Sequence, residues 1–215
     1  MLDPAVREAI RAKVGEREAD PVALLGLDIL TVNHAHGLTG IDACENLRIL
    51  VLAGCELDSL NEVANLHGLG TLAASDSTIG SIEGLANLNV HTVLAERSEL
   101  LDISPLLRCP GLVEVRLEGT ALSKESYRRT IPELVRSGCD VSFPSVLEWE
   151  LMTDMRESGL SFSYYESRNG YRLCRPGLKH TETPEVNHPV ISPDELRRML
   201  SFDPHGIRDL FSESI

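Results

Sequence analysis

Aromatic residues are scarce in this 215-residue chain, at 4%. Lysine is scarcer still: Lys13, Lys124 and Lys179 are the only three, so nearly every basic residue is Arg. No apolar run reaches the roughly 18 residues that a membrane span needs. The opening segment, MLDPAVREAI, lacks the basic start and apolar stretch of a secretory signal. Five cysteines (Cys44, Cys55, Cys109, Cys139 and Cys174) sit at irregular spacings with no C-x-x-C pair. They read as buried thiols of a reducing cytoplasm, not as disulfides or zinc ligands. P-loop, G-x-S-x-G and H-E-x-x-H motifs are also missing, so no familiar catalytic pattern supports an enzyme.

What is present is ordinary in bulk: 42% hydrophobic and 25% charged residues, the balance of a folded globular chain. With few aromatics, its core has to be aliphatic. The net charge of −13 repels phosphate backbones and disfavours nucleic acid as a partner, while favouring a basic protein. The Arg-for-Lys bias fits a high-GC bacterial genome.

Internal repetition is the strongest signal. The phrase L-x-x-L-x-L, with a further apolar residue five positions on, occurs at Leu47/Leu50/Leu52/Leu57 and at Leu69/Leu72/Ala74/Ile79. It recurs at Val90/Val93/Ala95/Leu100 and at Leu112/Val115/Leu117/Leu122. An eroded copy starts at Leu27, with Leu30 and Val32. Between the phrases apolar residues recur in threes, as in Leu57, Leu60, Val63 and Leu66. The period-2 pair predicts a short strand with inward side chains, and the period-3 series predicts a 3₁₀-like return. No single unit of this length buries its own apolar face, so the units have to stack.

These phrases resemble the leucine-rich repeat family, in particular the short 22-residue class of bacterial internalins and of a eukaryotic phosphatase-1 regulator. The resemblance covers about residues 27–143 and implies an α/β solenoid with a parallel sheet on its concave side. One departure is consistent: the Asn that usually follows the strand is replaced by Cys55, Ser77, Ser98 and Thr120. Asp3-Pro4 and Asp20-Pro21 predict helices over 4–14 and 21–25, a helical N-terminal cap within 1–26. Residues 119–143 look like the closing segment of bacterial proteins of this family. The remainder, 144–215, reads as an α+β appendage. It has a capping box at Ser145/Glu148, a hairpin around Arg168-Asn169-Gly170, and helices starting at Ser192-Pro193 and Asp203-Pro204.

Residues that alternate with the buried pairs point out of the concave face. Ile49, Val51, Ala53, Thr71, Ala73, Ser75 with Asp76, Thr92, Leu94, Glu96 with Arg97, Glu114, Arg116 and Glu118 are the candidate protein-binding residues. The face is expected to be apolar towards its N-terminal end and charged towards its C-terminal end. Glu56, Asp58, Glu62, Asp76, Glu83 and Glu96 supply acid, with no Lys or Arg between 49 and 96. Gly68 to Ala73 matches the G-x-G-x-x-A dinucleotide pattern, but it crosses a repeat strand and has no helix after it. His34-x-His36 lacks a third ligand at local spacing, and His180, His188, Glu182 and Glu185 fall in a Pro-containing loop. Neither a cofactor nor a metal is expected.

The reading that follows is a non-catalytic module holding a basic protein on its concave face, with an immunity protein or antitoxin against a basic toxin as one concrete version. A regulatory subunit of a host enzyme, a self-associating protein, or an enzyme with Glu166, Arg168, His180 and His188 in the appendage are the other readings. The apolar half of the face is open to coverage by the appendage or by a second copy.

Overall fold

The computed structural model describes residues 2–177 and 188–214. Asp3 accepts hydrogen bonds from the Ala5 and Val6 amides and so caps α1 (Pro4–Val14); Asp20 does the same for Val22 at the start of α2 (Pro21–Leu25). Pro at the first helical position needs no amide partner, which makes both starts inexpensive. Then follow β1 (Ile29–Asn33), β2 (Ile49–Ala53), the two-residue β3 (Glu56–Leu57), β4 (Thr71–Ala73), the two-residue β5 (Thr78–Ile79), β6 (Thr92–Leu94), β7 (Glu114–Arg116) and β8 (Asp140–Ser142).

Six of these strands form one sheet in the order β1-β2-β4-β6-β7-β8, every pair parallel. At about 4.8 Å per step the sheet is about 24 Å wide. Between strands the chain returns through 3₁₀ turns at Ile41–Ala43, Asn61–Asn65, Glu83–Leu85 and Ser104–Arg108. The architecture fits a leucine-rich repeat fold. Both apolar series are buried: Leu50, Leu52, Leu72, Ala74, Val93, Ala95, Val115 and Leu117 from the strands, and Leu60, Val63, Leu66, Ile82, Leu85, Ile103 and Leu106 from the returns. They join one continuous core that runs from Val6 in α1 to Trp149. Burying a Leu or Val completely is worth about 1.5–3 kcal/mol, so stacking supplies the stability that no single unit has.

The turn after each strand shows how the family's Asn is replaced. His34, Gly54, Asp76, Arg97 and Gly119 all have φ between +53° and +66°, and each swings the chain off its strand. The next residue, in four turns Cys55, Ser77, Ser98 or Thr120, points inward and reaches the previous unit. Ser98 Oγ donates to the Ala74 carbonyl at 2.8 Å and accepts from the Ser77 amide at 3.3 Å. Ser77 Oγ likewise accepts from the Cys55 amide at 3.1 Å, and Cys55 Sγ from the Ala35 amide at 3.4 Å. Thr120 Oγ1 donates to the Ala95 carbonyl. A column of small donors thus satisfies buried turn backbone, one unit to the next.

The segment before β8 is helical, and it widens into a π turn over Ser126–Thr130 before α3 (Ile131–Arg136). Pro132 has no amide to give to the turn behind it, and the Ile131 amide reaches the Ser126 carbonyl five residues back. Beyond β8 come α4 (Val146–Glu157), an antiparallel hairpin of β9 (Ser163–Ser167) and β10 (Gly170–Cys174), α5 (Pro193–Phe202) and a 3₁₀ stretch over Pro204–Ser214. The expected capping box is present, with Ser145 and Glu148 bonded reciprocally. Met152, Met155, Phe162, Tyr164, Leu173, Ile191, Leu196 and Ile207 form a second small core. All five cysteines are free and buried. No helix among the described residues is long and apolar enough to cross a membrane.

Candidate functional surface and the buried seam beside it

Register fixes the concave face. One column across the sheet reads Ile29, Ile49, Thr71, Thr92, Glu114, Asp140; the next reads Thr31, Val51, Ala73, Leu94, Arg116, Ser142. Ala53 follows Val51 along β2, and Ser75, Glu96 and Glu118 follow their own strands. Ile29 is 39% exposed, and Ile49, Val51, Ala53, Ala73 and Leu94 are half-buried among neighbouring strands. The N-terminal half of the face is therefore small and apolar.

The C-terminal half is charged but largely self-paired. Arg116 bridges Glu114 and Asp140, each at 2.7 Å. The hydrogen bond and positive charge of Arg116 hold the Asp140 carboxyl below its ordinary range. Ser75 Oγ donates to Glu96 at 2.5 Å, while Glu118 is exposed.

Two expected face residues lie elsewhere. Asp76 and Arg97 occupy left-handed turn positions, so strand alternation no longer sets where they point. They face each other instead: Arg97 Nε and Nη2 donate to the two Asp76 oxygens, both at 2.8 Å, and the Asp76 side chain is only 13% exposed. The expected band of acids also disperses. Glu62 and Glu83 sit on the outer 3₁₀ turns, and Glu83 pairs with Arg108 there. Acid on the concave face comes from Glu96, Glu114, Glu118 and Asp140.

The pair is covered by the appendage, which docks on the post-strand edge of the sheet. Trp149 Nε1 donates to the Leu122 carbonyl at 3.1 Å, and its ring stacks on Tyr127 with centroids 4.5 Å apart. Ser163 Oγ reaches the Ser98 carbonyl at 3.5 Å, and the Gly177 amide donates to the Asp76 carbonyl at 2.8 Å. Arg97 lies over the Tyr165 ring, 5.7 Å from its centre. A Cβ on Gly119 would stand 2.9 Å from that of Tyr165, so the close approach, as well as the φ of +66°, requires glycine. These contacts fall on the turns and on the helical segment before β8, not over Ile49, Val51 or Ala73.

Inside the seam, Asp76, Cys174 and His188 bring one carboxylate oxygen, one thiol and one imidazole nitrogen within 4.8 Å of one another. Cys174 Sγ stands 3.6 Å from Asp76 Oδ1, and His188 Nδ1 is 2.8 Å from the Tyr165 hydroxyl. Burial, then the Asp76 charge, pushes the Cys174 thiol well above its ordinary range. Sequence reasoning missed this group because 98 residues separate Asp76 from Cys174.

The other candidates are not gathered. Glu166 and Arg168 are exposed near the hairpin tip, away from buried His188, while His180, Glu182 and Glu185 lie outside the described residues. His34 and His36 line a cleft of about 550 Å³ between α1 and β1, with His34 Nδ1 3.4 Å from the Gly54 carbonyl oxygen. Gly68 to Ala73 runs into β4 and has no helix to hold a pyrophosphate.

The sequence matches no protein-family model and no curated protein. Among solved structures, it is similar to an internalin, inlF, of Listeria monocytogenes, at 16% identity over 71% of this chain and a TM-score of 0.37. The match spans 60% of that internalin's length. Internalin C2 of the same species is similar at 18% identity over 66% of this chain and 92% of its own, with a TM-score of 0.27. Neither similarity carries a functional reading, which rests on the chain's own surfaces.

Proposed function

We propose that this chain is a non-catalytic protein-binding module that receives a partner on its concave sheet. The observation that carries this reading is the in-register apolar strip of Ile29, Ile49, Val51, Ala53, Ala73 and Leu94, beside the carboxylates of Glu96, Glu114 and Glu118. A contiguous apolar patch rimmed by charge is the composition of a protein interface. Six strands and one flank supply about the 800 Å² per partner that a stable complex buries. The net charge of −13 favours a basic partner and speeds its encounter.

On this reading the chain is a short-repeat protein of the 22-residue class, with a helical cap over 1–26, repeats over 27–143 and an appendage over 144–215. Strand registers spaced by 20, 22, 21 and 22 residues from Ile29 to Glu114 support that class. Five buried free thiols fit a bacterial cytoplasm. The most concrete form is an immunity protein or antitoxin whose acids and apolar strip cover the groove of a basic toxin. Asp76 and Arg97 are structural in this reading, and the binding set is the remaining concave residues.

Site-specific photo-crosslinking in the native cell tests it. A photoactivatable residue at Val51 or Leu94 is expected to capture one basic protein stoichiometrically, and the same residue at Ala64 on the outer turn is not. Capture weakens with salt if the carboxylates steer the partner. Equal yields from Val51 and Ala64 would reject the concave face.

A further inference from the structure

We propose that Asp76, Cys174 and His188 form a transition-metal site of the zinc class, which clamps the appendage to the post-strand edge of the repeats. This is a second site, independent of the concave-face reading. Three observations carry it.

The first is the donor set. One thiol, one imidazole and one carboxylate within 4.8 Å suit a borderline-soft ion of tetrahedral habit. Bonds of about 2.0–2.3 Å at tetrahedral angles place donors about 3.3–3.8 Å apart. The Cys174–Asp76 separation of 3.6 Å already falls there, and the third donor needs to close by about 1 Å at most. A water completes four-coordination.

The second is the outer shell. Ligating imidazoles are oriented by a hydrogen bond from the ring's other nitrogen, and ligating carboxylates are hydrogen-bonded in turn. Here the Tyr165 hydroxyl meets His188 Nδ1 at 2.8 Å, a bond that fixes the orientation of the ring. Arg97 grips both oxygens of Asp76. A carboxylate has about four lone-pair sites, so Oδ1 accepts from Arg97 and still binds a cation. Tyr165 and Arg97 also stack on each other, which fixes the two orienting groups as one unit.

The third is placement and charge. Asp76 belongs to a repeat turn, Cys174 ends β10, and His188 lies between that strand and α5. One ion would therefore tie the repeat turn to both appendage segments, adding to the bonds of Gly177 to the Asp76 carbonyl and of Arg172 to the His188 carbonyl. Its double charge offsets the thiolate that burial alone disfavours, and the thiol proton leaves to solvent on binding.

The test uses the full chain, stripped with chelator and titrated with Co²⁺ followed in the visible and near ultraviolet. One equivalent is expected to give tetrahedral ligand-field bands and a thiolate charge-transfer band, both abolished when Zn²⁺ displaces cobalt. Cys174→Ser is expected to remove the charge-transfer band and to weaken binding at least about 100-fold. Tyr165→Phe, which keeps the ring, weakens it about 10-fold. Cys109→Ser, remote from the seam, leaves the spectrum unchanged. A folded wild-type chain with no tetrahedral spectrum, or a charge-transfer band that survives in Cys174→Ser, overturns the site. Because a seam variant can fold poorly, melting of the wild-type chain is measured with and without Zn²⁺. A rise that chelator reverses supports the clamp, and no shift at saturating Zn²⁺ overturns it.

Discussion

The concave face and the post-strand edge are built from the same repeats, a residue or two apart, yet they meet opposite fates. On the face, Ile49, Val51 and Leu94 alternate with core residues and stay outside the solenoid. On the edge, Asp76, Arg97 and Ser98 follow a left-handed residue or are one themselves, and they are covered by Ser163, Tyr165 and Cys174. Strand alternation produces a surface, whereas the positive φ of Asp76, Arg97 and Gly119 accompanies a joint. An extended backbone presents side chains to any partner, but a turn with a fixed φ and a short inward donor presents a shape that one particular segment of the same chain fills.

If the edge is a joint and the face is a surface, substitutions on the two should separate into stability effects and binding effects. The largest loss is expected for Trp149→Ala, which removes a buried ring, its stacking on Tyr127 and the bond to Leu122. About 3–5 kcal/mol should disappear from urea unfolding. A loss under about 1 kcal/mol would mean that the appendage is only loosely attached. Gly119→Ala against Gly138→Ala sharpens the same point. Both positions have positive φ, but only Gly119 has Tyr165 behind it, while nothing stands within 4 Å of a Cβ at Gly138. The Gly119 variant should lose about 1–3 kcal/mol more than its control. Equal losses would place the appendage elsewhere.

Much of the repeat half was legible because its information is local. A strand pair and a return fit within 22 residues, and the burial of Leu60, Val63 and Leu66 follows from spacing alone. The joint was not legible, since Asp76 and Cys174 meet only after the whole solenoid has formed. A partial signal existed: the column His34, Gly54, Asp76, Arg97, Gly119 holds two glycines, which marks a left-handed position. Reading Asp76 and Arg97 through that column would have removed them from the face. Among the candidate residues, Ser75, Glu96 and Glu118 continue the alternation of their strands, whereas Asp76 and Arg97, at the left-handed positions, leave it.

The inward column between face and edge should give an intermediate effect. Ser98→Ala deletes the bond to the Ala74 carbonyl and leaves the buried Ser77 amide unsatisfied, a cost of about 1–3 kcal/mol. Cooperative unfolding should persist with a lower midpoint, and an unchanged midpoint would show that the column is replaceable. Val51→Asp inverts the pattern. It should cost about 1 kcal/mol of stability, as a half-buried strand position does, while cutting partner capture at least about tenfold by desolvating a charge in the apolar strip. A larger loss of stability with intact capture would exchange the roles of face and edge.

The smallest effect belongs to the charged end of the face. Arg116 holds Asp140 below the ordinary carboxylate range through a hydrogen bond and its charge. A carboxyl that is more acidic folded than unfolded stabilises the chain above its unfolded value, and it loses that contribution as pH falls through the folded value. Arg116→Ala should therefore move the Asp140 titration upward in carboxyl NMR, with the stability difference between the two chains fading on acidification. At neutral pH that difference should be slight, because Asp140 is 68% exposed and exposed pairs contribute little. Glu114 loses the same partner, so the two carboxylates become available to a basic protein, and capture from Leu94 should rise, not fall, in this variant. A fall would mean that Arg116 itself touches the partner, and the charged end would then be a mixed-sign surface instead of an acidic one.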